Sequence, residues 1–199
     1  MNGSLKELGR LLHSVSPTDG LHQTPIPGVH CIKVSSPARR SRDRWRASLS
    51  IVAQGSKEIV LGRRTYRVSE GQYVATPIQL PVISRVAVAQ SERPFLCLLI
   101  DMAPLTISEV SSRLTHESTQ TGPDVVRAMF SGEATDRMLD AALRLVRLLR
   151  TPEDAPVLGA LIVKELLYHL MQGPNGAAIR QFVHAGNSQG NHSCDRSGE

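Results

Sequence analysis

Aromatic side chains are scarce: Phe, Trp and Tyr together make up 4% of the 199 residues, and Trp45 is the single tryptophan. The core must therefore rest on aliphatic residues, and a ring-lined surface has few members to draw on. No apolar run approaches the ~20 residues a bilayer-crossing helix needs. The opening MNGSLKELGRLLHSV carries charges inside an amphipathic pattern, unlike a secretory leader. With neither a span nor a leader, no membrane partner is expected, and the expected location is the cytoplasm. Cysteine is also sparse: Cys31, Cys97 and Cys194 are an odd number without metal-like spacing. Cys31 and Cys97 fall in strand-like runs, where buried, reduced thiols are common.

Catalytic signatures are missing too. The chain has no His-x-His, phosphate loop or Cys-x-x-Cys. Gly20, Gly28, Gly55 and Gly62 serve turns, and Ser56 in AQGSK has no neighbouring base and suits a hairpin turn better than a nucleophile. The histidines are His13, His22, His30, His116, His169, His184 and His192. Only His22 and His30 lie near the β-rich part; a metal site would need a distant third ligand, and surface or hydrogen-bonded histidine is the stronger expectation. No catalytic residue, metal ligand or cofactor is expected.

The net charge of +5 and isoelectric point near 9.5 invite a nucleic-acid partner. Arg39, Arg40, Arg42, Arg44 and Arg46, however, crowd into the single segment RRSRDRWR. Such a cluster is ordinarily a solvated loop and strand start, and without a reading element it carries no sequence specificity.

A length of 199 residues suits one well-buried core with an appendage. Leucines at helical spacing predict a short helix over 5–15, capped by Ser4. Proline and glycine then mark an extended connection through TPIPG. From 29 to 101 the texture is β, with strands expected at 29–34, 45–54, 58–61, 65–68, 72–76, 82–89 and 95–101. In 45–54, Trp45, Ala47, Leu49, Ile51 and Ala53 share one face, and Arg46, Ser48, Ser50 and Gln54 the other, which predicts a half-buried strand. PFLCLLID is apolar on both faces and predicts a strand covered on both sides. Short strands without intervening helices argue for an antiparallel sandwich or small barrel.

From 105 onward the period becomes helical, with helices expected at 105–117, 123–130, 136–150, 156–172 and 175–184. In the third, Leu139, Leu143, Val146 and Leu149 form a stripe, opposite an exposed face of Arg137, Arg144, Arg147 and Arg150. The helix 156–172 is apolar nearly all round: Leu158, Leu161, Ile162, Leu166 and Leu170 lie on one side, and Val157, Ala160, Leu167 and Met171 extend that surface. It calls for cover either from a second subunit or from an intramolecular core. The last stretch, GNSQGNHSCDRSGE, has no aliphatic or aromatic residue, and 186–199 is expected to be disordered.

With catalysis unsupported, binding remains. A sandwich or barrel can enclose a small ligand, oriented by inward polar or aromatic side chains. The candidates are Trp45, Gln54, Tyr66, Tyr73 and Gln79, with Arg46 or Arg39 for an anionic group; for the aromatics, core packing with the polar tip at the rim is the alternative.

HQTPIPGV (22–29), SIVAQGSKEIVLGRRTYRV (50–68), LPV (80–82), LRLVRLL (143–149) and VLGALIVKELLYHLMQGPNG (157–176), in this order, resemble the N-terminal regulatory region of AraC-type bacterial transcriptional regulators. The resemblance covers residues 5–188. It implies a cupin-like β-barrel or sandwich followed by a helical bundle, an α+β fold that senses a small-molecule effector or mediates dimerisation. DNA would be read by a C-terminal pair of helix-turn-helix units. The expected organisation is 1–104 for the N-terminal helix and barrel, 105–185 for a helical dimerisation region, and 186–199 for the tail. After AGNSQ the chain departs from the family pattern, so a truncated regulator without its own specific DNA binding is expected, with homodimerisation through 156–172. The alternatives are a metal-dependent cupin enzyme, or a solid, purely structural interaction module.

Overall fold

The computed structural model of the chain describes residues 3–114 and 128–182. Helix α1 (Gly3–Val15) buries Leu5, Leu8, Leu11 and Leu12, the leucines whose spacing predicts it. At its end, the buried Lys33 donates from Nζ to the Ser16 carbonyl at 3.2 Å and complements the negative end of the helix. The chain then enters β1 (Gly20–Gln23), β2 (Val29–Val34), β3 (Ser41–Trp45), β4 (Ser48–Gln54), β5 (Ser56–Leu61), β6 (Arg64–Ser69), β7 (Gln72–Thr76), β8 (Leu80–Val88) and β9 (Phe95–Asp101). Next come α2 (Pro104–Ser112), β10 (Phe130–Glu133), α3 (Asp136–Arg147), a 3-10 turn (Leu148–Arg150), α4 (Ala155–Gln172) and a helical segment at 176–182.

The strands form two antiparallel sheets. One has six strands in the order β1-β2-β9-β4-β7-β10; the other has four, β3-β8-β5-β6. Among the described residues no strand pairing joins the sheets, so the α+β expectation resolves to an open sandwich, not a closed barrel. Gly55, expected in a hairpin turn, instead carries the chain from β4 in one sheet to β5 in the other. The true hairpin is β5–β6, closed by Gly62 and Arg63 between the paired residues Leu61 and Arg64.

The apolar core has two parts. Leu49, Ile51 and Ala53 of β4 and Leu96, Leu98 and Ile100 of β9 face helices α1, α3 and α4. Val52, Phe95 and Cys97, on the opposite faces of the same strands, join Ile59, Val68, Val74 and Val82 between the sheets. Strand β9, flanked by β2 and β4, is thus covered on both faces, as PFLCLLID implies.

The expected strand 45–54 is two strands. The Arg46 carbonyl accepts hydrogen bonds from the Ser48 and Thr76 hydroxyls, each at 3.1 Å, where the chain passes between sheets. Trp45 therefore belongs to β3 and packs with the inter-sheet core, not on the face of Leu49 and Ile51. Nor is β4 half-buried: Ser48 and Ser50 are buried too, because the second sheet covers their face. Strands β1, β3 and β10 were not expected. β3 is the arginine-rich segment itself, an edge strand whose charges discourage pairing with another chain.

Residue 130 of the expected helix 123–130 instead opens β10. Phe130 buries its ring in the helix-side core and meets Phe182 edge-on at 6.0 Å. Residues 115–127 and 183–199 lie outside the described residues. With them go most of helix 123–130, the ends of helices 105–117 and 175–184, the tail 186–199, His116, His184, His192 and Cys194.

Helix α3 is capped by Thr135, whose hydroxyl oxygen accepts from the Met138 amide at 3.3 Å. Its expected exposed arginine face is partly used as bracing. Arg144 pairs with Asp140 at 3.0 Å and Glu165 of α4 at 2.5 Å, and Arg147 pairs with Glu7 of α1 at 2.7 Å. Helix α4 divides along its length: Leu166, Leu167, Leu170 and Met171 are buried, whereas Val157, Leu158 and Leu161 are exposed. The two expected stretches 1–104 and 105–185 share structure, since β10 completes the sheet and α1 packs against α3.

Candidate functional site

The sandwich leaves a cavity of about 190 Å³ between its sheets. Register sets its inner wall on the six-stranded sheet. Ser48 pairs with Asp101 and Thr76, Ser50 with Leu99 and Val74, and Val52 with Cys97; His30 and Ile32 of β2 continue the Leu99 and Cys97 rows. Because side chains alternate with period two, the residues between these face the helices. One end of the wall is consequently polar, with Ser48, Ser50, His30 and Asp101. The other is apolar, with Ile32, Val52 and Phe95, and Val74 stands beside Ser50 in the row between. The four-stranded sheet contributes Trp45, Lys57, Ile59 and Val68. Exposed Leu21, Arg44 and Arg46 form a rim beside edge strands β1 and β3.

Lys57 is the strongest electrostatic feature. Its Nζ stands 4.5 Å from the centre of the Trp45 ring, a cation–π contact. Burial holds its pKa below the ordinary lysine range, against the opposing pull of Cys97 and Asp43. No Lys57 ion pair within 4.0 Å occurs among the described residues, although the other core-facing charge at the cavity, Asp101, has His30 at 3.5 Å. His30 Nδ1 is buried without a hydrogen-bond partner. The cavity therefore holds one desolvated cation with a ring beside it, a polar end and a hydrocarbon-like end.

Neither Cys31 nor Cys97 offers a nucleophile. Burial pushes the Cys31 thiol up to about 11 and the cavity-lining Cys97 up to about 12, so both are protonated at neutral pH. Among the described residues, no three His, Cys, Asp or Glu side chains gather as a metal site. His22 is turned to the Thr18 carbonyl at 2.8 Å, and His30 to Asp101.

Of the residues expected to meet a ligand, Trp45 and Arg46 line the cavity. Gln54 sits at the β4 bulge and donates from Nε2 to the Pro94 carbonyl at 2.8 Å. Tyr73 points to the helix side, where its hydroxyl accepts from Asn175 Nδ2 at 2.9 Å. Tyr66 lines a separate depression with Arg64, Met129 and Asn175. Gln79 and Arg39 are exposed and away from the cavity lining.

Lys57, Ser48, Ser50 and Asp101 escaped the sequence reading as site residues, and His30 was weighed there only as a metal ligand. A signal for Lys57 was present: in SKEIVL, position 57 shares the phase of the core residue Ile59. The serines were legible only once β4 was known to be covered on both sides.

The chain matches the family model described as AraC-type transcriptional regulator N-terminus over residues 25–178. No curated protein sequence matches it. Among solved structures it is similar to ToxT from Vibrio cholerae strain SCE256. Against an apo point variant of ToxT the TM-score is 0.52 at 9% identity, covering 75% of this chain and 56% of that one. Against wild-type ToxT bound to an unsaturated fatty acid it is 0.51 at 8% identity, covering 76% and 55%. The chain thus spans a little over half the length of these ToxT chains, and identities this low speak for the shared fold alone.

Proposed function

The chain belongs to the AraC-type transcriptional regulators, whose N-terminal region it carries, and we propose that its sandwich is an effector-sensing domain that binds a small molecule between the sheets. One observation carries this: an inter-sheet cavity combining an unpaired, desolvated lysine with an apolar wall. Burying a cation without a counter-charge costs stability, so a fold that keeps one beside a cavity is suited to an incoming partner. Fatty-acid-bound ToxT, a chain of similar fold, supports an organic ligand. Strand β9 offers a route for the signal, because residues lining the cavity alternate along it with residues packed against the helices.

The second part of the proposal is homodimerisation through α4. Val157, Leu158 and Leu161, exposed at 67%, 44% and 57%, form an apolar patch on its first turns. Sequence-selective DNA binding is not assigned to residues 25–178, the regulatory region that the family model matches.

A thermal-shift panel of sugars, organic acids and neutral aromatics tests sensing. At least one class should raise the melting temperature, and Ser50→Leu, which fills the cavity, should lose that response. No response from any class, or full response in Ser50→Leu, would refute sensing. Light scattering tests dimerisation: a dimer that Leu161→Glu converts to monomer is expected, and a wild-type monomer at ~100 μM would refute it.

A further inference from the structure

Resting on the sensing role proposed above, we infer that the effector is a compact, ring-sized organic monocarboxylate whose acid group is held at Lys57 beside Trp45. The size of the cavity, its charge and the distribution of polarity on its walls each constrain the ligand separately.

A volume of about 190 Å³ is small. Sites for drug-sized ligands run to roughly 300–1,000 Å³, whereas a dry cavity of about 150 Å³ accepts benzene. A single ring with a short substituent fills the space here, and a long hydrocarbon chain overfills it. An acid of benzoate size satisfies the volume; a long-chain fatty acid requires the sheets to separate.

Charge selects the substituent. Arg44 and Arg46 at the rim and Lys57 inside are cationic, while the one lining carboxylate, Asp101, faces His30. Such a path attracts anions from solution. Inside there is a single unpaired cation, which compensates one negative charge; a second buried negative charge would remain unmatched. A neutral ligand would leave the ammonium with only the longer-range attraction of Asp43. A monoanion is therefore favoured over both.

Polarity fixes the orientation. Lys57 and Trp45 lie across from the sheet wall, whose apolar side chains include Val52, Val74 and Phe95. An acid group at the ammonium leaves the body of the ligand against these side chains, and the cation–π contact gives Trp45 a direct view of it.

Trp45, the single tryptophan, is also the reporter for the test. The protein is titrated with benzoate, benzamide and palmitoleate while Trp45 emission is followed, in wild type and in Lys57→Met. Lys57→Met retains the length of the stem and removes a cation that burial disfavours, so its melting temperature should equal or exceed that of wild type. Benzoate should give a saturable change in wild type, weakened roughly 10- to 100-fold both by Lys57→Met and by replacing benzoate with benzamide. Equal affinity for benzoate and benzamide, or unchanged benzoate affinity in Lys57→Met, overturns the monocarboxylate assignment and leaves sensing intact. Palmitoleate binding more tightly than benzoate overturns the size limit. If benzoate fails while another class in the thermal-shift panel binds, this inference falls alone; if nothing in the panel binds, the sensing role falls with it.

Discussion

A Cβ at Gly55 would stand 2.5 Å from the Val88 carbonyl oxygen and 3.1 Å from Phe95 Cα, whereas one at Gly62 would meet nothing within 4 Å. Both residues have positive φ, +80° and +58°. Gly62→Ala should then cost only the left-handed backbone penalty, about 1 kcal/mol, while Gly55→Ala adds a backbone collision and should exceed about 3 kcal/mol. Urea unfolding of the two variants reads the difference. Glu58 makes a second prediction. It is buried and receives Arg67 at 2.7 Å and Arg85 at 2.6 Å, which hold its carboxyl below the ordinary value of 4.5. A depressed carboxylate contributes stability that is full above its unfolded pKa and fades as pH falls through the folded one. Wild type should therefore exceed Glu58→Gln in stability near pH 7, with the gap closing below about pH 4.5. A gap that stays constant on acidification would rule the ion pairs out as its source. Residue-scale legibility was uneven. The leucines of α1 and the hairpin glycine Gly62 could be read because each satisfies a local rule. The serines of β4 could not, since hydroxyls on a strand face ordinarily mean solvent and only the second sheet makes that face interior; Lys57 shares the phase of Ile59, but its charge argued for solvent.

Among the elements, α4 was the least legible, because a helix apolar on all sides does not say which side meets its own chain. The structure resolves part of the question through Gly159, where the connector after β1 approaches closely: a Cβ there would come within 2.7 Å of Ile26 Cγ2. Ile26 is itself buried, so it has little room to withdraw. Gly159→Ala gains about 1 kcal/mol of helix propensity. The clash should nevertheless make the variant less stable than wild type by about 1 kcal/mol or more. In an Ile26→Ala background, which removes Cγ2 and Cγ1 from the contact, Gly159→Ala should no longer be destabilising. If Gly159→Ala proves more stable than wild type, the connector does not pack on α4 as described. The division of 45–54 into β3 and β4 is another element-scale lesson. Alternation continues through Arg46 and Ala47 without a proline or glycine to announce a break. At the interruption the Arg46 carbonyl accepts from the Ser48 hydroxyl two residues on and from the Thr76 hydroxyl, and the second is a long-range contact that no local pattern records. β10 escaped for a similar reason, being held by β7 far away in sequence.

At the scale of the whole molecule, the β-then-α order and the antiparallel pairing were legible from periodicity, because strand and helix periods differ and short strands without crossovers leave few alternatives. How the layers stack was not. Helices cover the outer face of the six-stranded sheet, and the four-stranded sheet covers its inner face, so β4 and β9 are shared between a solid core and a cavity. That arrangement underlies the functional account, since a ligand between the sheets touches strands that the helices also touch. It predicts that a cavity-binding acid tightens both layers, slowing amide exchange in β4 and β9 more than in β6.

The account rests most heavily on the cavity being where the effector sits. An NMR titration of the isotope-labelled chain with benzoate tests this directly. The account predicts shifts concentrated on Ser48, Ser50, Lys57, Cys97 and Asp101, with the Trp45 indole moving alongside them. Shifts confined to α4 or to the depression beside Tyr66, with the cavity residues unmoved at saturation, would contradict it.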